Sequence, residues 1–265
     1  MTPLLAVDKL EVVYQRAITA VQGITLGVQR GQIVALLGTN GAGKTTTLRA
    51  ISGFLGLDDA RVIEGSIAFK GERIDNRPPH EITRRGIVLV PERDKVFPNL
   101  TVGENLGAPV SHGSLAERRR REALVYQFFP RLADLKNRLG GLLSGGERQM
   151  LALGSALACG PELMLVDELS LGLAPVIVED LLQRLVDIRR KLSLTILLVE
   201  QSAAFALAIA DYAYVMENGR IVLDGSAERL RGHADVQEFY LGQIGGERRS
   251  YRDVKQYRRS RRWYG

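Results

Sequence analysis

Short runs of consecutive apolar residues recur along the chain, and each is followed by a polar or glycine-rich segment. Four of them predict strands, at residues 33–37, 86–90, 163–166 and 195–199. Continuous apolar runs of this length are typical of strands buried on both faces of a parallel sheet. The pattern therefore predicts an α/β fold with a parallel-rich main sheet, and it directs attention to the residues that follow each strand.

Two further regions have a strand pattern of a different kind. Residues 5–31 and 66–74 are shorter, turn-interrupted strands, which we expect to form a small antiparallel sheet beside the main one. Residues 212–216 and 220–223 are joined by a short polar turn that contains Gly219, and they predict a hairpin.

The remaining segments favour helices. Residues 92–158 are mostly helical in pattern, and 115–129 is the clearest segment, with the charged stretch 117–122 as a solvated face. Another helix is predicted over 176–192, because Pro175 suits a helix start. Its apolar residues recur at helical spacing and are predicted to lie in the core: Val178, Leu181, Leu182, Leu185, Ile188 and Leu192.

A glycine-rich loop links the first predicted core strand to a helix. Residues 38–45 read G-T-N-G-A-G-K-T, which matches the phosphate-binding loop pattern in the required strand–loop–helix context. Glycines let successive N–H groups turn toward anionic oxygens, and the helix start adds partial positive charge. Lys44 is predicted to reach the β- and γ-phosphates, Thr45 to bind Mg²⁺ and Thr46 to add a phosphate contact. The other predicted nucleotide contacts in the loop are Gly38, Asn40, Gly41, Ala42 and Gly43.

Two acidic residues, Asp167 and Glu168, follow the apolar run at 163–166. Carboxylates at the carboxyl end of a parallel strand lie at the ligand-binding edge of the sheet. Asp167 is predicted to hold Mg²⁺, directly or through water, and Glu168 to polarise the attacking water. Phosphoryl transfer needs mainly positioning and charge neutralisation, so these groups suffice for ATP hydrolysis. The alternative for such a pair is to cap the next helix.

A second glycine motif, L-S-G-G-E-R-Q at residues 143–149, precedes a predicted helix. Ser144 and the amides of Gly145 and Gly146 could form an anion site at that helix start, but nothing in the spacing brings them to Lys44. With the other two motifs in this order, the segment resembles the signature of ABC-transporter ATPase subunits. The resemblance implies that the signature of one subunit, Glu147 included, caps the ATP held by the phosphate loop of another.

The resemblance covers residues 4–243 and is closest to one of the two ATP-binding subunits of branched-chain amino-acid importers. It implies a P-loop NTPase (RecA-like) core at 1–91 and 159–243, with an antiparallel β subdomain and a helical subdomain inserted at 92–158. Tyr14 stands where this family has an aromatic that stacks on adenine, although a core or edge tyrosine has the same appearance. The segments similar to this subtype are 89–92, 96–102, 104–106, 170–175 and 198–201.

Three positions depart from the general ABC pattern. Glu92 stands where most members have a glutamine that senses Mg²⁺ and the membrane subunit, and a carboxylate can still bind metal or water. Gln201 replaces the switch histidine that contacts the γ-phosphate, and glutamine donates a hydrogen bond without carrying charge. Both exchanges resemble the importer subtype. Leu169 stands where the family usually has proline. Because leucine does not restrict φ as proline does, the backbone after Glu168 is less constrained.

Composition adds limits and one further segment. The 265 residues are 45% hydrophobic, ordinary for a globular protein, and the longest apolar stretch, 203–210, is far below the ~18 residues of a membrane span. Cys159 is the single cysteine, which excludes an internal disulfide. Residues 246–265 hold eight basic and two acidic residues, which equals the whole net charge of +6. This basic, aromatic tail, assigned to 244–265, suits an anionic membrane face, nucleic acid, a partner or a mobile terminus.

Together these features predict the ATP-hydrolysing subunit of an importer for branched-chain amino acids or a similar small organic solute. ATP and Mg²⁺ are the expected ligands. The expected partners are permease subunits, a second ATPase subunit that is more often a different chain, and indirectly a solute-binding protein, with no nucleic acid. The N-terminus has no secretion-signal pattern, so we expect a peripheral protein on the cytoplasmic face of the membrane. The alternatives are a non-transport ABC ATPase and a nucleic-acid-stimulated ATPase that uses the basic tail.

Overall fold

The structure is a computed structural model that describes residues 2–92, 95–108, 114–233 and 236, so the tail predicted at 244–265 lies outside the described residues. The strands are β1 Leu5–Tyr14, β2 Ile18–Val28, β3 Ile33–Gly38, β4 Ala60–Phe69, β5 Glu72–Arg73, β6 Ile87–Val90, β7 Leu163–Asp167, β8 Thr195–Glu200, β9 Tyr212–Glu217 and β10 Arg220–Ser226. The helices are α1 Lys44–Ser52, α2 Pro79–Arg84, α3 Val102–Gly107, α4 Leu115–Phe128, α5 Pro130–Asp134, α6 Gly145–Ala158, α7 Pro175–Leu192, α8 Ala203–Ile209 and α9 Ala227–Arg231.

The main sheet has the order β10-β9-β3-β8-β7-β6, and only β10 runs antiparallel to its neighbour. Every residue of β3, β7 and β8 is buried. The predicted parallel-rich sheet is therefore confirmed. The apolar runs are continuous because these strands are buried on both faces, as expected. The carboxyl ends of β3, β7 and β8 meet at one edge, where the chain continues into Thr39, Glu168 and Gln201.

A second sheet, with the order β2-β1-β4-β5, is antiparallel throughout. It confirms the predicted antiparallel subdomain, but the prediction began the strand of residues 66–74 too late. β4 begins at Ala60. Gly65 has a φ of 83°, and the register with β1 shifts there, so two residues of β1 face one of β4. This bulge interrupts the regular pairing of β4 with β1.

The helices α3 to α6 lie between β6 and β7, as the mostly helical prediction for residues 92–158 requires. Two hydrophobic cores pack on opposite faces of the main sheet, and alternate residues of β3 contribute to each of them. α7 begins with Pro175, as predicted, and buries five of its six predicted core residues. Leu192 is the exception and that prediction was wrong: it is the last residue of α7 and 39% exposed, since the helix there extends past the core.

Among the described residues, no helix combines the length and the apolar character needed to cross a membrane. Cys159 is buried directly after the end of α6.

Candidate nucleotide site

The loop between β3 and α1 borders a cavity of 430 Å³. Gly43 has a φ of 102°, and a β-carbon there would lie 2.7 Å from the carbonyl oxygen of Ala20, so the loop needs glycine at this position. No side chain caps the start of α1, which leaves its first amide groups available for an anion. The sequence therefore builds a helix start suited to an anion where the motif predicts one.

The cavity brings together most of the residues predicted from the phosphate loop and the acidic strand end. Its lining consists of eight predicted residues, Asn40, Gly41, Gly43, Lys44, Thr45, Thr46, Glu92 and Glu168, and two that were not predicted, Ala20 and Leu171. Gly38 and Ala42 are buried behind the loop. Ala20 belongs to β2 in the second sheet and reaches the cavity only through tertiary packing. No local sequence pattern therefore marks it as a site residue.

Lys44 is only 4% exposed and its ammonium group holds the loop together. It donates hydrogen bonds to the carbonyl oxygens of Gly38, at 2.9 Å, and Thr39, at 3.1 Å. It also lies 3.1 Å from a carboxylate oxygen of Glu168, which is buried as well. A buried ion pair of this kind needs such additional hydrogen bonds to offset its desolvation.

Asp167 lies beside the loop, 3% exposed, and its carboxylate accepts a hydrogen bond from the Thr45 hydroxyl at 3.3 Å. Burial raises the pKa of Asp167 to about 6, and the nearby carboxylates of Glu168 and Glu92 add to that effect, while Thr45 and Lys44 act against it. Negative charge is thus concentrated where a cation would stabilise it.

The donor set fits Mg²⁺ only as part of a complex with phosphate. The described residues contain no group of three or more His, Cys, Asp or Glu side chains that could hold a metal alone. A hydroxyl and a carboxylate side by side, with a second carboxylate in the cavity wall, are the ligands that Mg²⁺ takes when phosphate oxygens complete its shell.

Glu168 has an unusual backbone conformation for a residue with a side chain. Its φ is 48°, and its N–H donates to the carbonyl oxygen of Val199 at 2.9 Å. A left-handed conformation in a non-glycine residue costs on the order of 1–3 kcal/mol and is common at functional sites. Leu169, where proline was expected, is fully buried in the core.

Glu200 is a buried acid to which sequence reasoning assigned no role. It is 0% exposed and accepts two hydrogen bonds from Ser170, from the N–H at 3.0 Å and from the hydroxyl at 2.6 Å. Burial raises the pKa of its carboxyl group. The signal was available, because Glu200 ends a continuous apolar strand as Asp167 does.

Six further predicted site residues, four of them in the signature motif, do not join the cavity wall within this chain. Ser144 caps α6 in a reciprocal hydrogen-bond pair with Glu147, and both Ser144 and Gly145 are exposed. Tyr14, at the end of β1, lies with its hydroxyl 3.2 Å from that of Thr46. Gly146 and Gln201 are half-buried. The phosphate-loop half and the signature half of the predicted site are therefore separate in one copy of the chain.

Comparison with known proteins agrees with this geometry. The family model described as ABC transporter matches residues 21–170. A branched-chain amino acid transport ATP-binding protein of Pseudomonas aeruginosa, BraG, is 40% identical, over 90% of this chain and 100% of its own length. A probable branched-chain amino acid transport ATP-binding protein of Archaeoglobus fulgidus, LivF, is 38% identical, over 81% of this chain and 89% of its own length. The ADP conformation of an ATP-binding cassette of an ABC transporter has a TM-score of 0.77 at 27% identity, covering 92% and 100% of the two chains.

The chain belongs to the ABC transporter family. It is an ATP-binding cassette with the P-loop NTPase fold, and its enzymatic activity is ATP hydrolysis coupled to transport. The fold expected from the resemblance, with a parallel-rich core sheet, an antiparallel subdomain and an inserted helical region, is confirmed.

Proposed function

We propose that this chain powers an importer of branched-chain amino acids or a similar small organic solute. The observation that carries the proposal is its 40% identity with BraG over the whole of that relative, whose name assigns it to high-affinity branched-chain amino acid transport. The cavity at the phosphate loop supports the ATPase part independently of any name.

Each residue of the site has a proposed role. The loop amides from Gly38 to Gly43 and the Lys44 ammonium bind the phosphates, Thr46 adds a contact and Tyr14 stacks on adenine. Thr45, Asp167 and Glu92 hold Mg²⁺, which supplies charge neutralisation at the phosphates. Glu168 orients and polarises the attacking water, and Gln201 donates an uncharged hydrogen bond toward the γ-phosphate. Lys44 exchanges part of its present contacts with Gly38, Thr39 and Glu168 for phosphate oxygens.

We further propose that two cassettes complete the site. Ser144 and Gly145 are exposed and absent from the cavity wall of their own chain, although the hydroxyl and amides at this helix start suit an anion. A second cassette, a different chain in the importer subtype, would present its own signature to this phosphate loop. ATP then favours the closed pair because it binds that state more tightly than the open one.

The permease contact is proposed for residues 92–105, on the cytoplasmic face of the membrane. Phe97 is 58% exposed. Leu142 is 62% exposed and lies close to this segment, because the N–H of the preceding Gly141 donates to the carbonyl oxygen of Pro98. Asn105 is buried and fixes this segment: its side chain donates to the carbonyl oxygens of Phe97, Leu100 and Thr101 and accepts from the Phe97 N–H at 2.7 Å. The part from Phe97 to Asn105 is thus fixed by hydrogen bonds and carries an exposed apolar side chain, which suits docking against a membrane subunit.

Uptake measurements test the proposal. Deleting the gene from its source cells should abolish most high-affinity uptake of labelled leucine, isoleucine and valine, while uptake of an unrelated sugar continues. The wild-type gene should restore it and Lys44→Ala should not. Unchanged uptake of all three amino acids would contradict the solute assignment, and recovery of the chain without any permease after mild-detergent extraction would contradict the transport role.

A further inference from the structure

The loop between Glu168 and α7, residues 169–174, is held from one end by a single buried carboxylate. Both oxygens of Glu200 are occupied by Ser170, one by its N–H at 3.0 Å and one by its hydroxyl at 2.6 Å. Glu200 is 0% exposed, and no basic side chain among the described residues forms a salt bridge with it. A buried carboxylate without a basic partner is costly, so a neutral side chain would be the cheaper solution for packing alone.

This loop touches both halves of the proposed ATPase site. Leu171 lines the nucleotide cavity and is 53% exposed. Leu173 packs against the start of α6, where its side chain would lie 3.1 Å from a β-carbon added to Gly145. The loop therefore runs from the acid at the phosphate site to the glycine motif that follows Ser144.

The backbone at Glu168 depends on anchors outside itself. Its φ of 48° is strained, and the next residue is leucine, so no proline ring restricts the chain there. The described anchors are the hydrogen bond from the Glu168 N–H to the Val199 carbonyl oxygen, the pair from Ser170 to Glu200, and a further contact of the Leu169 backbone with the same carboxylate. All of them go to the last two residues of β8, which is fully buried in the sheet.

We propose that Glu200 is a positioning residue, whose two hydrogen bonds to Ser170 hold loop 169–174 in the shape that keeps Glu168 directed into the nucleotide cavity. The inference rests on the proposed role of Glu168 in hydrolysis. Glu200 neither lines the nucleotide cavity nor bonds to the amides of the phosphate loop 38–43, so it acts on the rate of hydrolysis and leaves nucleotide affinity nearly unchanged.

Glu200→Ala tests this in the full chain. It removes both hydrogen bonds, and we expect kcat for ATP to fall about tenfold to a hundredfold, as small misplacements of reacting groups do. The dissociation constant of ATP is measured in the absence of Mg²⁺, so that no hydrolysis occurs. It should change less than about threefold, because Lys44 and the amides of the phosphate loop keep their contacts. Glu200→Gln should restore kcat to within about threefold of the wild type, because its carbonyl oxygen accepts the Ser170 N–H and its amide donates to the hydroxyl oxygen.

Thr195→Val is the matched control. Thr195 lies at the opposite end of β8, is 0% exposed and accepts a hydrogen bond from the Gly31 N–H at 2.9 Å. It should lower thermal stability through a lost buried hydrogen bond while kcat stays near the wild-type value. If Glu200→Ala does not fold, Ser170→Ala, which removes only the hydroxyl bond, should lower kcat by about threefold to tenfold.

Hydrogen exchange of the amides of 169–174 provides a readout that needs no hydrolysis. Glu200→Ala should exchange faster there, with the Ser170 amide most affected, and Thr195→Val should not. Wild-type protection of this loop in Glu200→Ala, or a fall in kcat no greater than that of Thr195→Val, would overturn the proposal. If the wild-type protein hydrolyses no ATP but Glu200→Ala still exchanges faster in this loop, the proposed role of Glu168 is overturned, while the anchoring of loop 169–174 by Glu200 is supported.

Discussion

The two ends of the central sheet use charge in opposite ways. At the carboxyl end, Lys44, Asp167, Glu168 and Glu200 are all less than a tenth exposed, and one of them has a left-handed backbone. At the amino end, Arg189 pairs with Asp211 at 3.0 Å in a site that is about a third exposed. Exposed pairs cost little and contribute little, whereas buried charges are expensive. The difference indicates that the carboxyl end is arranged for a ligand, whereas the charges at the amino end carry little energetic cost.

The largest expected effect comes from the carboxyl end. Glu168→Gln keeps the size of the side chain and an oxygen facing Lys44 but removes the charge that polarises water. We expect kcat for ATP to fall by about a hundredfold to a thousandfold, roughly 3–4 kcal/mol in the barrier, with ATP binding retained. Steady-state turnover and equilibrium binding of ATP measure the two quantities.

The control for Glu168→Gln is Glu162→Gln. Glu162 pairs with Arg30 at 3.2 Å and with Lys70 on the surface, outside the nucleotide cavity. Its loss should leave kcat within about twofold of the wild type, since exposed pairs are worth little. Normal turnover by Glu168→Gln would remove the catalytic assignment of that residue.

Asp167→Asn tests how much the ionised Asp167 carboxylate destabilises the fold when no ligand is bound. The pKa of Asp167 is raised to about 6 in the folded chain, so ionising it opposes folding once the pH exceeds the ordinary value of 3.8. Without nucleotide or Mg²⁺, Asp167→Asn should therefore match the wild type near pH 4, gain stability between pH 4 and 6, and be more stable by up to roughly 3 kcal/mol above that. Urea unfolding across this pH range measures it.

A pH-independent change in the stability of Asp167→Asn would contradict the ionisation argument. The same substitution should weaken Mg²⁺-dependent ATP hydrolysis, so stability and activity should move in opposite directions at this end of the sheet.

Asp211→Ala is the corresponding change at the amino end. Asp211 accepts a hydrogen bond from the Ile33 N–H at 2.8 Å, besides its pair with Arg189. Leaving that partly buried N–H without an acceptor should cost about 1–2 kcal/mol in the free energy of unfolding, with kcat unchanged. Thermal unfolding and turnover of the same preparation separate the two ends, and a parallel loss of kcat would erase the contrast between them.

How much of this was predictable depends on whether the signal is local. The phosphate loop, the strand ending in Asp167 and the helix after Pro175 each lie in one stretch of chain, so periodicity and spacing were sufficient. Ala20 and Leu171 reach the cavity only through tertiary packing, and no local pattern marks them. Glu200 had the same pattern as Asp167, but its partner Ser170 lies thirty residues away in a different loop. The signature motif shows the limit most clearly, because its proposed target lies in another chain.

The smallest stability effect belongs to two helix caps that are chemically alike. Ser114 caps α4 by accepting from the Glu117 N–H at 3.2 Å, and Ser144 caps α6 by accepting from the Glu147 N–H at 3.3 Å. Ser114→Ala and Ser144→Ala should each cost about 1 kcal/mol in the free energy of unfolding, because each loses one N-cap bond. Only Ser144→Ala should also lower ATP turnover, by about fivefold or roughly 1 kcal/mol in the barrier, since its hydroxyl is proposed to reach the partner's phosphate. That loss should appear at protein concentrations that support dimers and vanish at high dilution, where wild-type turnover is itself low. Equal turnover of the two variants at every concentration would mean that Ser144 is a cap like any other.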